Sequence, residues 1–363
     1  MRSWNSVKVR SDRGERKMTG RTVCGVLLVW MAGFALPGTA AEHAKGEAFL
    51  ELCRTKARAG DSMSVRGRDG WLFLRTELSH LGKGEFWGAA AQKANPDSRE
   101  GTRDPLAAIV AYNNSAKAAG IGLLFVPIPP KAVVYPDMLV EGYKATPRLD
   151  VHHQAFYKLL REKGVDVLDV TPLLIEGRKA TQVYCRTDSH YSPQGLKIVA
   201  ATVAAKVKKM DWYAKAAKSD YTVTRREATV TGDLLRCYTG ADKPAPERLQ
   251  LEVIAPAQEL QPVESVSSPI TVLADSHGLI FHSGEDMLAK DAGVADHLAH
   301  QTRLPVDLIG TCGSGATPTR ISFYRAAKRD PAYIGRKKLI IWLLTAREFT
   351  ESSWNAKVPA TPK

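Results

Sequence analysis

The sequence predicts an α/β fold with a mainly parallel central sheet, flanked by helices and carrying one irregular insertion. Short apolar segments alternate with helical segments along most of the 363 residues. The apolar segments are continuous runs, as expected of strands that are buried on both faces. The helical segments begin at capping residues and end at glycine. This alternation is typical of parallel strands that are joined by helices.

The first regular part of the chain is a helix followed by a strand. The segment "TRDPLAAIVAYNNSAKAAG" opens with Asp104 as a helix cap and Pro105 at the first helical position, and it closes at Gly120. The apolar run "IGLLFVPIP" then predicts a buried strand. A second helix is predicted from about Leu149 to Lys163, and "VDVLDV" predicts the strand that follows it.

A third helix is predicted in "SPQGLKIVAATVAAKVKKM", with Ser192 as its cap and Pro193 in its first turn. Residues 211–268 are less regular and read as an insertion or as edge elements, with short strands at "YTVTRREATV" and "RLQLEVIAP". After residue 268, predicted strands and helices alternate again. Strands are predicted in "PITVLADSHG", "VDLIGT" and "KKLIIWLL", with a helix in "TRISFYRAAKR".

A serine follows one of these strands directly. In "TVLADSHGLIF", an apolar strand ends at Ala274, and Asp275 and Ser276 come next as the chain turns toward a helix. In a parallel α/β sheet, ligands bind beyond the carboxyl ends of the strands. A serine in such a turn is presented above the sheet, next to backbone N–H groups that can stabilise an oxyanion. The alternative is that Ser276 is only a turn or helix cap.

A second candidate is the stretch "CRTDSHYSPQG", in which Asp188 and His190 stand two residues apart. A serine nucleophile needs a base within hydrogen-bond reach, and the base needs a carboxylate to orient it. Asp188 and His190 supply both, on a turn fixed by the next helix. A metal site is the competing interpretation, but no other histidine has a strong ligand spacing. We therefore expect no metal and no cofactor.

The N-terminus predicts export. Residues 1–41 have the pattern of a secretory signal, with Arg21 followed by an apolar run over about 23–36 and a stretch of small residues. A retained membrane anchor is the alternative. Residues 42–363 are then one domain. Residues 1–40 carry seven Lys or Arg and two acidic residues, so without them the net charge falls from +13 to +8. A basic exported protein suits an anionic partner such as an acidic polysaccharide, and nucleic acid is not expected.

Four cysteines lie outside the signal segment: Cys53, Cys185, Cys237 and Cys312. An even number in an exported chain permits two disulfides, with three pairings open.

Five segments, in order, resemble the alginate O-acetyltransferase AlgX/AlgJ family. They are "GRDGWLFL", "VPIPPKAVVYPD", "RTDSHYSPQG", "VLADSH" and "IIWLLTAREFTESSWNAKVP". The resemblance implies an SGNH-hydrolase-like catalytic domain. The chain is more similar to the AlgJ-like form, which has no carbohydrate-binding module.

The resemblance implies a triad of Ser276 as nucleophile, His190 as general base and Asp188 as orienting carboxylate. The N–H of Ser276 and the loop with Gly313 and Gly315 would hold the oxyanion. Two arginines near sheet ends, Arg320 and Arg347, are candidates for binding a uronate carboxylate, with a structural role as the alternative for each. The resemblance also suggests a Cys53–Cys237 disulfide, which leaves Cys185 and Cys312 either as a second bridge or as free thiols.

The expected function is transfer of acetyl, through an acetyl-serine, to hydroxyls of an alginate-like exopolysaccharide in the periplasm. A membrane-bound O-acyltransferase is the expected acetyl supplier. Two alternatives remain open: a carbohydrate esterase with the same triad, and an inactive polysaccharide-binding or assembly protein. The presence of Asp188, His190 and Ser276 argues against the inactive alternative, but Ala274 in place of the glycine usual before Asp-Ser keeps it open. His277 is expected to point away from Ser276.

Overall fold

The computed structural model describes residues 40–258 and 262–362. The strands are β1 (Ser64–Arg66), β2 (Leu72–Leu74), β3 (Gly122–Ile128), β4 (Asp166–Val167), β5 (Tyr221–Val230), β6 (Glu247–Pro256), β7 (Ile270–Ala274), β8 (Asp307–Gly310) and β9 (Leu339–Thr345).

The helices begin with α1 (Ala40–Arg58), α2 (Arg75–Leu81), α3 (Ala91–Ala94), α4 (Pro105–Ala118), α5 (Lys131–Val134), α6 (Pro136–Leu139), α7 (Val151–Glu162) and α8 (Thr171–Gly177). They continue with α9 (Pro193–Val207), α10 (Asp233–Arg236), α11 (Ser276–Leu279), α12 (Val294–Thr302), α13 (Thr317–Arg329), α14 (Ala332–Arg336) and α15 (Glu348–Glu351). Short 3-10 turns occur at Gly88–Ala90, Tyr213–Lys215 and Glu285–Met287.

The central sheet has five strands in the order β4-β3-β9-β7-β8, and every neighbouring pair is parallel. This confirms the predicted α/β class. The edge strand β4 is only two residues long, shorter than the predicted run, because its ladder to β3 is confined to Asp166 and Val167. The last strand in sequence, β9, lies in the centre of the sheet and is buried over its whole length, and all its residues except Thr345 are apolar.

Helices cover both faces of the sheet. The side chains of β9 alternate: Ile341 and Leu343 pack with one core, and Trp342 packs with the other. The first core contains the buried faces of α1, α9 and α12, and the second contains those of α4, α7 and α13. The strands are thus buried on both faces, which is why they read as continuous apolar runs.

Capping residues in the sequence correctly predicted where two of the helices begin. The Asp104 carboxylate accepts a hydrogen bond from the backbone N–H of Leu106 at 2.9 Å, and Pro105 is the first residue of α4. The Ser192 hydroxyl likewise accepts from the N–H of Gly195 at 3.2 Å at the start of α9. Both caps satisfy N–H groups that have no partner within their own helix.

The irregular region contains a two-stranded antiparallel ribbon, β5 with β6, outside the central sheet. Both strands were predicted from sequence. The predicted signal at residues 1–41 lies almost wholly outside the described residues, and α1 begins at Ala40. Among the helices that the structure describes, none is long and apolar enough to cross a membrane.

Candidate active site

Ser276 lies where β7 ends and α11 begins, at the carboxyl edge of the sheet. The turn is fixed by the side chain of the preceding residue. One oxygen of Asp275 accepts from the N–H of His277 at 2.8 Å, and the other accepts from the N–H of Thr345 at 2.8 Å. Asp275 therefore joins the ends of β7 and β9 and holds the serine above the central strands.

Ala274 stands where a glycine is usual before Asp-Ser, and the turn accommodates it because residue 278 is a glycine. A Cβ added at Gly278 would lie 2.2 Å from the Cβ of Ala274, well inside van der Waals contact. The methyl group of Ala274 is fully buried and uses the space that Gly278 leaves. The turn thus forms without a glycine at position 274.

The three residues predicted as a triad are brought together in the expected order. The Nδ1 of His190 lies 2.7 Å from Oδ1 of Asp188, and its Nε2 lies 2.8 Å from Oγ of Ser276. All three are buried, with 7% of Ser276 exposed. A nucleophile, a base and an orienting carboxylate linked in this way can activate the serine hydroxyl.

The local charges favour an ion pair between the base and its carboxylate once His190 takes a proton. Burial alone would raise the pKa of Asp188, but His190 and the N–H groups of Asp233 and His190 outweigh it and lower the pKa. Burial alone would lower the pKa of His190, but Asp188 and then Asp233 and Asp275 outweigh it and raise the pKa. The carboxylate therefore stabilises the imidazolium form of His190.

The turn that carries Asp188 is held by a buried acid, Glu247, and a half-buried acid, Asp233. Glu247 accepts from the backbone N–H of Arg186 at 2.9 Å and of Thr187 at 2.6 Å, as well as from the Thr187 hydroxyl at 2.7 Å. Asp233 accepts from the N–H of Ser189 at 2.7 Å, and its own N–H donates to Oδ2 of Asp188 at 2.8 Å. These bonds fix both the turn and the plane of the Asp188 carboxylate.

A buried lysine completes the support of the turn. The side chain of Lys131 has 0% exposure, and its ammonium donates to the carbonyl oxygens of Leu72 at 2.7 Å, Asp188 at 2.5 Å and Arg186 at 3.5 Å. Burial lowers the pKa of Lys131, against the opposing effect of nearby acidic groups. The ammonium thus ties the Asp188 turn to strand β2.

Sequence reasoning missed Lys131, Asp233 and Glu247. Lys131 lies in "PIPPKAVVYPD", a predicted loop at the carboxyl edge, and a lysine within such an apolar run was the available signal. Asp233 and Glu247 lie in the irregular region, where no local pattern distinguished them.

Asp188, His190 and Asp233 also form a group of metal-ligand type, with ligand atoms within 4.8 Å of one another. Their oxygens are already engaged: Asp188 accepts from His190 and from the N–H of Asp233, and Asp233 accepts from Ser189. A cation here would displace hydrogen bonds that orient the base. The donor set therefore fits the hydrogen-bonded triad better than a metal site.

His277, the residue after Ser276, packs against the predicted base. Its ring centre lies 4.7 Å from that of His190, at an angle of 52°, and 5.1 Å from that of Tyr191. Its Nδ1 lies 3.5 Å from Oδ1 of Asp275, a contact too poorly aligned for a hydrogen bond, and Nε2 has no hydrogen-bond partner within the described part of the chain. Burial lowers the pKa of His277. His277 therefore packs against the base and makes no hydrogen bond to Ser276.

The loop predicted to hold the oxyanion lies beside the nucleophile. A Cβ at Gly315 would lie 2.6 Å from the backbone nitrogen of Asp275, so only glycine permits this approach. Gly313 has φ of +76°, a left-handed conformation that glycine adopts without strain. The role of both glycines as oxyanion residues stays a prediction.

The prediction that Arg320 binds substrate is wrong. Its side chain has 0% exposure, and its guanidinium donates to the carbonyls of Ala316 at 3.0 Å and Asn355 at 3.1 Å. A group enclosed in this way supports the packing of α13 and cannot reach a ligand. Arg347, at the end of β9, pairs with Glu351 at 2.8 Å, and its side chain is 15% exposed. Substrate binding by Arg347 stays a prediction.

The predicted Cys53–Cys237 disulfide is not formed in this structure, in which Cys53, Cys237, Cys185 and Cys312 are all free. Cys53 is buried in α1, whereas Cys237 is exposed at the end of α10. Cys185 is buried and Cys312 is exposed. For Cys185 and Cys312, free thiols were one of the two outcomes that the sequence left open. Cys185 instead packs with its sulfur 3.7 Å from the carbonyl oxygen of Tyr191.

The parallel sheet, with Ser276 at its carboxyl edge and the Asp188–His190 pair beside it, defines an SGNH-hydrolase-like protein. Residues 65–323 match the family described as "SGNH hydrolase-like domain, acetyltransferase AlgX". The chain belongs to this family.

Curated relatives and solved structures agree with this assignment. The chain is 28% identical over 192 residues to the probable alginate O-acetylase AlgJ of Pseudomonas aeruginosa, covering 51% of this chain and 45% of that protein. The corresponding Pseudomonas fluorescens protein is 25% identical over 253 residues, covering 68% and 52%. The chain thus spans about half the length of the curated relatives it matches.

Two solved structures share the fold. The O-acetyltransferase domain of Pseudomonas putida AlgJ matches with a TM-score of 0.61 and 20% identity, over 81% of this chain and 94% of that one. Pseudomonas aeruginosa AlgX matches with a TM-score of 0.60 and 17% identity, over 86% and 69%.

Replacing Lys131 with methionine is expected to lower the free energy of unfolding by about 3 kcal/mol, because it leaves buried carbonyl oxygens without a donor. Urea unfolding of K131M measures this. The matched control is K163M, at an exposed lysine after α7, which is expected to change little. Equal stability of the two variants would show that the ammonium does not support the turn.

Proposed function

We propose that this protein is an exported O-acetyltransferase that carries acetyl on Ser276 and delivers it to hydroxyls of an alginate-like exopolysaccharide. The observation that carries the proposal is the hydrogen-bonded chain from Asp188 through His190 to Ser276. Family membership supports acetyl transfer as the chemistry. The names of the curated relatives, which refer to alginate, support a uronate polymer as the acceptor.

In the first step, the Ser276 oxygen attacks the carbonyl carbon of the donor acetyl group. His190 takes the hydroxyl proton at Nε2 and passes it to the leaving oxygen or sulfur of the donor. The carbon–leaving-group bond breaks, and acetyl-Ser276 remains. Asp188 holds Nδ1 and stabilises the imidazolium. The N–H of Ser276, with the loop at Gly313 and Gly315, would stabilise the oxyanion.

In the second step, a sugar hydroxyl attacks the acetyl-serine. His190 removes the proton from this hydroxyl and returns it to Ser276 as the ester bond to the enzyme breaks. Water in place of the sugar gives an esterase, and both reactions share the first step. A membrane-bound O-acyltransferase is the acetyl supplier that we propose. Export is supported by the signal-like sequence over residues 1–41.

An inactive binding protein is less well supported. The sequence argument for it was the alanine at 274, and the space left by Gly278 accommodates that methyl group. The three side chains of the triad are present and aligned, which a protein with no catalytic role does not need.

Replacing Ser276 with alanine is expected to reduce turnover of a chromogenic acetyl ester by at least about 1000-fold, because no acetyl-enzyme can form. His190→Ala should cause a loss of similar size. Ser283→Ala, at an exposed serine seven residues on, is the matched control and should retain activity. Undiminished turnover in S276A with an unchanged melting temperature would rule out the nucleophile.

Transfer and hydrolysis are separated by the product. The full chain is supplied with the acetyl ester and a uronate oligosaccharide, and the sugar is analysed by mass spectrometry. We expect acetylated sugar with the wild type and none with S276A. If free acetate is the sole product at every sugar concentration, the protein is an esterase.

The pH dependence follows from the pKa of the base. Because neutral imidazole accepts the proton, kcat/KM for the acetyl ester should rise with pH, with a midpoint above the ordinary histidine value of 6.5. Asp188→Asn removes the charge that raises this pKa, so the midpoint should move to lower pH while the maximal rate falls. Asp97→Asn, at an exposed site, serves as the control. A midpoint that D188N does not move would contradict the assignment of His190.

A further inference from the structure

A cleft of about 760 Å³ lies at the amino-terminal edge of the central sheet. One side is formed by the residues that lead into three parallel strands: Ser267–Pro269 before β7, Leu304 and Pro305 before β8, and Lys338 before β9. The other side is formed by residues 211–219. The cleft and Ser276 are therefore at opposite ends of β7, separated by roughly 16 Å of strand.

Buried bonds make the floor of the cleft rigid. The ammonium of Lys337 donates to the carbonyl oxygens of Val266 at 2.8 Å and Ser268 at 3.1 Å, and pairs with Asp307 at 2.6 Å. The N–H of Lys338 donates to the carbonyl of Pro269 at 2.9 Å. These bonds join the starts of all three strands, so the floor is formed before any ligand binds.

The opposite wall is held in the same way. The hydroxyl of Tyr213 donates to the carbonyl of Thr302 at 2.9 Å, and the N–H of Ser219 donates to the carbonyl of Arg303 at 2.8 Å. The ammonium of Lys218 donates to the carbonyl of Ala216 at 2.9 Å, which adds a hydrogen bond within this wall. A cleft with two fixed walls loses little conformational entropy when it is filled.

The lining has the chemistry of a site for acidic sugars. Trp212, with the two prolines, supplies apolar surface, on which the C–H face of a sugar ring can pack. Lys215 and Lys338 are exposed, and neither makes an ion pair with another described residue. Asp211 is the single acid in the lining, so the cleft favours anions. Serine hydroxyls complete the lining and can bind sugar hydroxyls.

We propose that this cleft binds a stretch of an anionic, uronate-containing polysaccharide at a distance from Ser276. The proposal rests on the proposed function for its choice of ligand. The volume lies in the range of small-ligand sites and suits a few sugar units. A polymer held at one end of the sheet keeps its other units near the nucleophile at the opposite end, which raises their effective concentration.

Binding is tested with the full chain carrying Ser276→Ala, so that no acetyl chemistry interferes. A uronate oligosaccharide is titrated by calorimetry, and the same oligosaccharide with its carboxyl groups reduced to alcohols is the neutral control. Removing both free lysines (Lys215→Ala with Lys338→Ala) should weaken binding of the acidic form by about tenfold. Raising the salt concentration should weaken it further.

The matched control removes two exposed lysines outside the cleft, Lys93 and Lys290, and should leave affinity unchanged. Trp212→Ala should weaken both the acidic and the reduced oligosaccharide, since it removes the apolar surface. In the active enzyme, the lysine variant should keep its turnover of the small acetyl ester and show a raised KM for polymer acceptor.

Three results would overturn the proposal. They are equal affinity of the cleft and control variants, equal binding of the reduced oligosaccharide to the wild-type cleft, and no binding at all. Failure of the proposed function looks different: the wild type would not turn over the acetyl ester, whatever the titrations give.

Discussion

The hydrogen bonds between buried charges and the turn at residues 186–189 are the constraint on which the candidate site depends. Thr187 and Asp188 are buried, and neighbouring elements satisfy only part of the turn's backbone. The N–H of Leu72 in β2 donates to the carbonyl of Arg186 at 2.8 Å, and the N–H of Leu235 in α10 donates to that of Thr187 at 3.0 Å. Each buried group left without a partner would cost about 1–3 kcal/mol. Lys131 and Glu247 meet this need from opposite sides, one bonding carbonyls and the other N–H groups. The orientation of His190 is thus set by residues far away in sequence.

The irregular region between the central strands has a larger part in the site than its sequence suggested. It supplies Asp233 and Glu247, and it brings Gly232 against the turn, where a Cβ would lie 2.3 Å from the carbonyl oxygen of Thr187. The same region also supplies the wall at 211–219, at the opposite edge of the sheet. One segment of chain therefore contacts both ends of the sheet, so its loss would disturb the base as well as the cleft.

What the sequence predicted well depends on local physics. The caps at Asp104 and Ser192 and the apolar runs of β3 and β9 are set by neighbouring residues, so they can be read directly. The pairing of Asp188 with His190 was also local, whereas their approach to Ser276 was implied by the resemblance to the family.

The features that were missed or wrong depend on contacts between distant residues. Lys131 and Glu247 each meet the turn from more than fifty residues away, and no periodicity marks such a contact. Arg320 stands near a sheet end in sequence, yet its side chain turns into the core and packs over Tyr112 and Trp342. The Cys53–Cys237 disulfide was inferred from likeness to a family, and likeness does not determine whether a given cysteine is buried.

Because positions 274 and 278 are in close contact, a substitution at one position depends on the residue at the other. Together they have room for one methyl group, which here belongs to Ala274. An ancestor with glycine at 274 could gain the alanine only while glycine was present at 278. In the same way, an alanine could arise at 278 only while glycine was present at 274, because two alanines would force the turn at Ser276 apart. Within this family, the residues at these two positions should therefore vary together, and neither position by itself distinguishes an active protein from an inactive one.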